Sequence, residues 1–276
     1  MSLTLNYEKL RAHITLSYSI VQDKNFDTLV GKFANNIYGT PKGEIRAAVM
    51  WRDLQEMLAL TANRQLRVLD AGGGFGYFSL KLARLGHKVV LCDLSQNMLN
   101  EAQQHIDAEP NPLDITLVHS PIQALSAAEL GQFDLILCHA VAEWLSDAHS
   151  TLTNLLTLLA PNGLFSLMFY NVDAMRFHAL TCGNFDFVKA GLKAKKKHRL
   201  SPDHPLEVTT VQQWFNEWQL QTLGMSGIRV IHDYMHRRLP EDFTFAGLLE
   251  MELEHSRRQP YLSLARYVHL MGQKPA

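Results

Sequence analysis

The stretch Leu66-Arg67-Val68-Leu69-Asp70-Ala71-Gly72-Gly73-Gly74-Phe75-Gly76 decides how this chain folds. An apolar strand ends on an acid and runs into a turn that reads Asp-x-Gly-x-Gly-x-Gly. Glycine reaches left-handed backbone angles without strain and lets a ligand approach where a Cβ would collide. The residues that follow, Tyr77-Phe78-Ser79-Leu80-Lys81-Leu82-Ala83-Arg84-Leu85, carry helical spacing and stop at Gly86. A second strand, Lys88-Val89-Val90-Leu91-Cys92, then delivers Asp93 at its carboxyl end, seventeen residues beyond Gly76. A close-approach loop, a helix N-terminus and a carboxylate placed for a ribose diol together predict a nucleotide-type cofactor crevice.

Outward from that unit, strands and helices alternate. Strands are expected near 66–70, 88–92, 114–119, 133–138 and 163–170, and helices near 77–85, 95–108 and 148–160. Short links between alternating elements imply a mostly parallel sheet with helices on both faces, an α/β Rossmann-like architecture. The run Phe133-Asp134-Leu135-Ile136-Leu137-Cys138 is apolar enough for a central strand. Before the glycine turn, Phe26, Leu29, Val30, Phe33 and Ile37 predict one helix, and Ile45, Val49, Leu54 and Leu58 a second. These make residues 23–62 a helical cover, preceded by an extension over 1–22 that has no periodic pattern. After Tyr170 the chain becomes polar and lysine-rich to about Leu206, read as a basic insertion over 171–206. A helix near 208–220, a strand around 228–231, a helix over 241–257 and a last, antiparallel strand Tyr267-Val268-His269-Leu270-Met271 complete one domain spanning 23–276.

Composition bounds the function. The chain has 276 residues, 47% hydrophobic and 19% charged, with a formal net charge of -1, so any nucleic-acid contact must come from a local patch. No apolar span reaches membrane length, and the N-terminus lacks a signal-peptide pattern, which excludes a membrane role and points to the cytoplasm. Cys92, Cys138 and Cys182 are far apart with no Cys-x-x-Cys pair, two of them in expected buried strands. They read as core thiols of a reducing compartment, and no metal ligands are assigned.

The glycine spacing chooses the cofactor. A dinucleotide fingerprint reads Gly-x-Gly-x-x-Gly; here the third glycine comes one residue early. Asp70 beside the loop would repel a pyrophosphate but suits a cationic ligand bearing an amino group. This pattern resembles the first motif of the class I S-adenosylmethionine (SAM) methyltransferases, with Asp93 matching their ribose-binding acid. Gly72, Gly73 and Gly74 then serve as backbone contacts. In such sheets the ligand lies beyond the carboxyl ends of the strands. That rule nominates Ile122 and Gln123 for the adenine, His139 where donor and acceptor meet, and Tyr170 and Asn171 at the end of the fifth strand. Arg46, whose guanidinium forks onto carboxylates, is placed to close over the amino-acid end of SAM.

The clearest partner signal is Lys189-Ala190-Gly191-Leu192-Lys193-Ala194-Lys195-Lys196-Lys197-His198-Arg199, six cations and a histidine in eleven residues without an acid. Phe185, Phe187, Arg229, Tyr234, Arg237 and Arg238 add stacking and phosphate-binding options. From the residues alone three readings stay open: an RNA methyltransferase, a small-molecule methyltransferase such as a quinone-ring enzyme, and a non-catalytic RNA-binding protein on a remnant fold. The intact Asp70–glycine–Asp93 set weighs against the last, and the basic run against the second.

Longer stretches carry a sharper likeness. Asp23-Lys24-Asn25-Phe26-Asp27, Asn36-Ile37-Tyr38-Gly39-Thr40, Leu91-Cys92-Asp93-Leu94-Ser95, Ser166-Leu167-Met168-Phe169-Tyr170-Asn171, Gly183-Asn184-Phe185-Asp186 and Lys195-Lys196-Lys197 join the glycine turn in this respect. From Gln22 to about Lys274 the chain resembles the bacterial tRNA carboxymethoxyuridine methyltransferase family. The resemblance implies methyl-ester formation on the carboxylate of carboxymethoxyuridine at the tRNA wobble position. It also implies SAM contacts at Arg46, Gly73, Gly74, Asp93, Ile122, Gln123 and His139. On this reading tRNA lies against Lys193, Lys195, Lys196, Lys197, Arg199 and Arg229. Candidates to hold the acceptor carboxylate are His139, Tyr170, Asn171 and Arg199 or Arg229.

Overall fold

The computed structural model describes residues 39–193, 202–236 and 238–276. The extension over 1–22, the first helix of the expected cover, and Lys195, Lys196, Lys197, Arg199 and Arg237 lie outside the described residues.

Seven strands are described, β1 (Arg67–Ala71), β2 (Lys88–Asp93), β3 (Ile115–His119), β4 (Phe133–His139), β5 (Leu159–Tyr170), β6 (Gln221–Ile228) and β7 (Tyr267–Gln273). They form one sheet in the order β3-β2-β1-β4-β5-β7-β6. β1 to β5 pair in parallel, and β7 inserts antiparallel between β5 and β6. The parallel order reverses at β1, so the carboxyl ends of β1 and β4 flank the switch point where such sheets bind ligands. The expected fold class is present, including its antiparallel last strand.

Alternating side chains along each strand feed two cores. Val68, Leu135 and Leu137 face α1 (Pro41–Ala59) and α2 (Tyr77–Arg84) through Val49, Met50, Leu54, Phe78 and Leu82. Leu69, Ile136 and Cys138 face α5 (Ala148–Leu155) and α8 (Val208–Glu217) through Leu152, Leu155, Val211 and Phe215. Leu91 packs on α3 (Gln96–Asp107) through Leu99 and Ala102. Helix α1 begins where Thr40 Oγ1 accepts from Gly43 N at 3.3 Å and Pro41 presets the first turn. The buried face of α1 carries an acid, Asp53, among its apolar residues.

Three boundaries differ from the sequence reading. The expected strand at 228–231 is instead β6, Gln221–Ile228. Its Gly224, Ser226 and Gly227 hide the strand pattern, but close packing demands small residues there: a Cβ on Gly227 would lie 2.6 Å from Ala265 Cβ. The apolar-looking run after it leaves the sheet because Arg229 turns left-handed, φ 60. The helix expected to reach 160 ends at Leu155, followed by a 3₁₀ turn and then β5. The basic insertion is more helical than its polarity suggests, with α6 (Val172–Thr181) and α7 (Phe185–Lys189) in its described part. Besides these, α4 (Ala127–Leu130) precedes β4 and α9 (Phe245–His255) precedes β7. Among the described residues no helix is long and apolar enough to cross a membrane.

Candidate active site

The glycine turn is bound to the end of β2. Gly72 N and Gly73 N donate to Cys92 O at 2.8 and 3.2 Å, and Gly74 N donates to Asp93 Oδ2 at 2.8 Å. Asp93 Oδ1 accepts from Ser95 N at 2.8 Å, at the start of α3. Each carboxylate oxygen has further lone-pair capacity, so a half-buried Asp93 can also accept from a ribose diol. Two glycines are irreplaceable for different reasons. A Cβ at Gly73 would sit 2.5 Å from the Asp70 carboxylate and 2.4 Å from Leu91 Cδ1. Gly74 is left-handed, φ +60, and among the described residues its missing Cβ would meet nothing nearer than Met98 sulfur at 3.9 Å. That open side is the space a nucleoside needs against bare backbone, so the residues fit an adenosyl cofactor.

Asp70 sits under the turn rather than on the crevice wall. It is buried, and its Oδ2 accepts from Ser79 Oγ at 2.7 Å. Burial raises its pKa to about 6; the Ser79 bond opposes this and the neighbouring Asp93 charge adds to it. The expected direct contact with an amino group gives way to a brace beneath the loop, because the carboxylate is enclosed by Gly73 and Ser79. Ile122 and Gln123 lie in the 3₁₀ turn after β3. The Ile122 side chain is part of the core and Gln123 is exposed, so it is the backbone of this turn that borders the crevice.

His139, at the end of β4, terminates a buried chain of polar groups. Asp53 Oδ1 accepts from Arg52 Nη2 at 2.7 Å and Arg257 Nη2 at 2.6 Å. Asp53 Oδ2 lies 2.8 Å from His269 Nδ1, His269 Nε2 lies 2.7 Å from Ser166 Oγ, and Ser166 Oγ lies 2.8 Å from His139 Nε2. The Ser166 hydroxyl bridges the two imidazoles, donating to one Nε2 and accepting from the other. Burial, with His269 and Arg46 nearby, pushes the His139 pKa well below its ordinary range, so the ring is uncharged at neutral pH. This chain spans α1, β5 and β7, and nothing in sequence spacing announces it; the clue was a charged residue on the apolar face of α1.

Beside His139 the side chains become cationic. Arg46 and Arg229 both stack on Tyr267, at 4.6 and 5.3 Å from the ring centre. Glu143 is fully buried after β4. Burial drives its pKa up to about 7, against a pull from the backbone N–H groups of Glu143 and Tyr170 and from Arg46. A cavity of about 380 Å³ opens at the end of β5, lined by Lys42, Tyr170, His178, Arg229, His232, Asp233 and Arg266. Tyr170 Oη accepts from Arg266 Nη1 at 2.9 Å.

Two sequence assignments need revision. Asn171 is fully buried and caps α6: its Oδ1 accepts from Asp173 N at 3.0 Å and its Nδ2 donates to Ser263 O and Ala265 O. Its amide is occupied by the backbone, which makes it a structural cap. Arg229 is not a surface cation for phosphates but 9% exposed and ion-paired with Asp233 at 3.2 Å. Lys193 is exposed, as the charge run predicted. Asp233 and Arg266 carry no signal in the sequence, because they lie in irregular segments without periodicity.

Residues 69–167 match the methyltransferase domain family. The chain is 43% identical over 92% of its length to a tRNA 5-carboxymethoxyuridine methyltransferase from Escherichia coli (strain K12), covering 98% of that protein. It is 37% identical over 107 residues to a ubiquinone biosynthesis O-methyltransferase from Psychrobacter cryohalolentis, 38% of this chain and 41% of that one. The solved structure of magnesium protoporphyrin IX methyltransferase from Synechocystis PCC 6803 with bound SAH superimposes with a TM-score of 0.61. At 16% identity over 90% of this chain and 96% of that one, the likeness is one of fold.

Proposed function

Because the chain belongs to the tRNA 5-carboxymethoxyuridine methyltransferase family, we propose that it methylates the carboxylate of 5-carboxymethoxyuridine in tRNA, with SAM as donor. The observation that carries this reading is the reach of the likeness. Identity to the tRNA enzyme runs through nearly the whole chain, acceptor side included, whereas identity to the quinone enzyme stops at little more than a third. The modified base is the wobble uridine of the anticodon loop, and a tRNA acceptor places the reaction in the cytoplasm.

When bound, SAM supplies an electrophilic methyl group that a carboxylate takes by direct displacement. The acceptor is already an anion, so no residue has to remove a proton from it. The chain therefore binds, aligns and excludes water, holding the reacting atoms at roughly 3–3.5 Å in line. Asp93 accepts from the ribose hydroxyls, the Gly73-Gly74 turn lies against the nucleoside, and Ile122-Gln123 borders the base. Arg46 holds the carboxylate of the amino-acid end. Uncharged His139 adds a hydrogen-bond acceptor at the junction without adding positive charge beside a sulfonium. Lys193, with Lys195, Lys196, Lys197 and Arg199, supplies cations for tRNA phosphates.

The test is transfer of a labelled methyl group from SAM to tRNA whose wobble uridine carries the carboxymethoxy group, followed by mass spectrometry of the nucleosides. The methyl ester is the expected product. Transfer to a quinol precursor but not to this tRNA overturns the assignment.

A further inference from the structure

We propose that Arg229 and Arg266 clamp the acceptor carboxylate in the cavity at the end of β5, beside the Tyr170 hydroxyl, with Asp233 as the positioning residue for both arginines. The inference rests on the methyltransferase reading above and assigns the half of the site that the glycine turn does not explain.

Charge is the first argument. Among the described residues, three permanent cations, Lys42, Arg229 and Arg266, line the cavity against the single carboxylate of Asp233. Such an excess, with both arginines buried, favours an incoming anion. Geometry is the second. Asp233 Oδ2 accepts from Arg266 Nε at 2.6 Å and pairs with Arg229 Nη2 at 3.2 Å, and its Oδ1 lies 3.1 Å from His232 Nδ1. Arg266 Nη1 donates to Tyr170, so both guanidiniums are oriented before any ligand arrives. Pre-orientation of this kind lowers the ordering cost of binding a planar carboxylate through paired N–H groups.

The third argument is unspent capacity. Arg229 is nine-tenths buried, and among the described residues its Nε has no hydrogen-bond partner. A buried guanidinium short of partners is costly, and a second anion beside the Asp233 carboxylate offsets part of that cost. Arg229 also adopts φ 60, a conformation uncommon outside glycine. That backbone angle ends β6 and delivers the side chain to the cavity wall, so strain and burial converge on one residue.

Placement is the fourth. Tyr170 ends the strand whose Met168 pairs in register with His139, which sets the cavity at the same sheet edge as the cofactor crevice. Tyr267 joins the two halves, because both Arg46 and Arg229, the latter lining the cavity, pack against its ring. Methylation neutralises the carboxylate, so the same clamp that draws in the acid loses its hold on the ester. The clamp thus serves selection of the acid over neutral wobble uridines and release of the product.

The test compares binding of two tRNAs, one carrying carboxymethoxyuridine and one carrying neutral methoxyuridine, to the unaltered enzyme and to Arg229→Gln and Arg266→Lys. The unaltered enzyme should prefer the acid about 10–100-fold, the value of one or two charged hydrogen bonds. Arg229→Gln should abolish that preference and lower kcat/KM by a similar factor, with the SAM Kd within about 2-fold. Arg266→Lys keeps the charge but not the fork, and should lose part of the preference while folding normally by circular dichroism. A preference retained in both variants overturns the clamp while leaving the function standing. Equal weakening toward both tRNAs also overturns it, since the arginines would then hold backbone phosphate. If the unaltered enzyme methylates neither tRNA, the function itself falls and the clamp with it.

Discussion

The two edges of the crevice are built from different materials. The core of the cofactor edge is one contiguous stretch, Asp70 to Asp93, made of backbone amides and absent side chains, with Gly74 N and Ser95 N fixing the Asp93 carboxylate. The acceptor edge is assembled from charged side chains more than two hundred residues apart, from Lys42 in α1 to Arg266 before β7. A backbone-made site tolerates no added carbon, whereas a charge-made site tolerates no unbalanced charge. Each edge should therefore fail in its own way.

The largest effect is expected on the acceptor edge. Asp233→Asn leaves Arg229 and Arg266 without their buried counter-charge and should cost about 3–5 kcal/mol of stability, read from denaturant unfolding. SAM affinity of the folded fraction should stay within a factor of about 2; a parallel collapse would show the two edges to be one cooperative unit. Burial pushes the Asp233 carboxyl up, but His232 and the two arginines reverse this and hold it well below the usual range. A depressed acid stabilises the fold above its unfolded pKa of about 4 and loses that contribution as pH falls further. The unaltered protein should accordingly lose stability below about pH 4, and Asp233→Asn should lose less of it over that range.

On the cofactor edge, Gly73→Ala should weaken SAM binding about 100-fold, or about 3 kcal/mol, since its Cβ would press into Asp70 and Leu91. Calorimetry that returned an unchanged SAM affinity would break the contrast at its strongest point. Asp70→Asn should act in the opposite sense at alkaline pH. Burial raises this acid to about 6 in the fold, so ionising it costs stability as pH rises from about 4 through 6. The amide should therefore gain up to about 3 kcal/mol at pH 8 and nothing at pH 4, measured as the difference between two melting profiles.

Between the edges lies the polar chain from Asp53 to His139. Ser166→Ala removes the hydroxyl that both His139 and His269 bond, at a cost of about 1–3 kcal/mol. Nitrogen NMR should report a single His139 tautomer in the unaltered protein and a mixture in the variant; the same single tautomer in both would sink the relay. The smallest effect belongs to the surface: Lys193→Ala should raise the tRNA KM only a few-fold and reduce the salt slope by about one unit.

The contrast also explains what was legible. The strand–turn–helix–strand unit is local, so its glycines and acids stand at fixed sequence intervals. Lys193 lies in a run that betrays itself by charge alone. The β6 strand was misplaced because Gly224, Ser226 and Gly227 are chosen for close packing, a demand that periodicity does not register. Asn171 was taken for chemistry because its place at a strand end is suggestive, yet whether a side-chain amide faces a ligand or three backbone groups depends on what folds over it.

Sequence alone therefore determined the α/β sheet through the alternation of its strands and helices, the cofactor turn through local spacing, and the class of reaction through a family resemblance. Tertiary structure alone decided that Arg229 and Arg266 meet around Asp233, that Asp70 lies beneath its loop, and that Ser166 links His139 to His269. Those outcomes rest on burial and on partners brought from distant strands, and desolvation and charge balance arise only when the chain has closed around them.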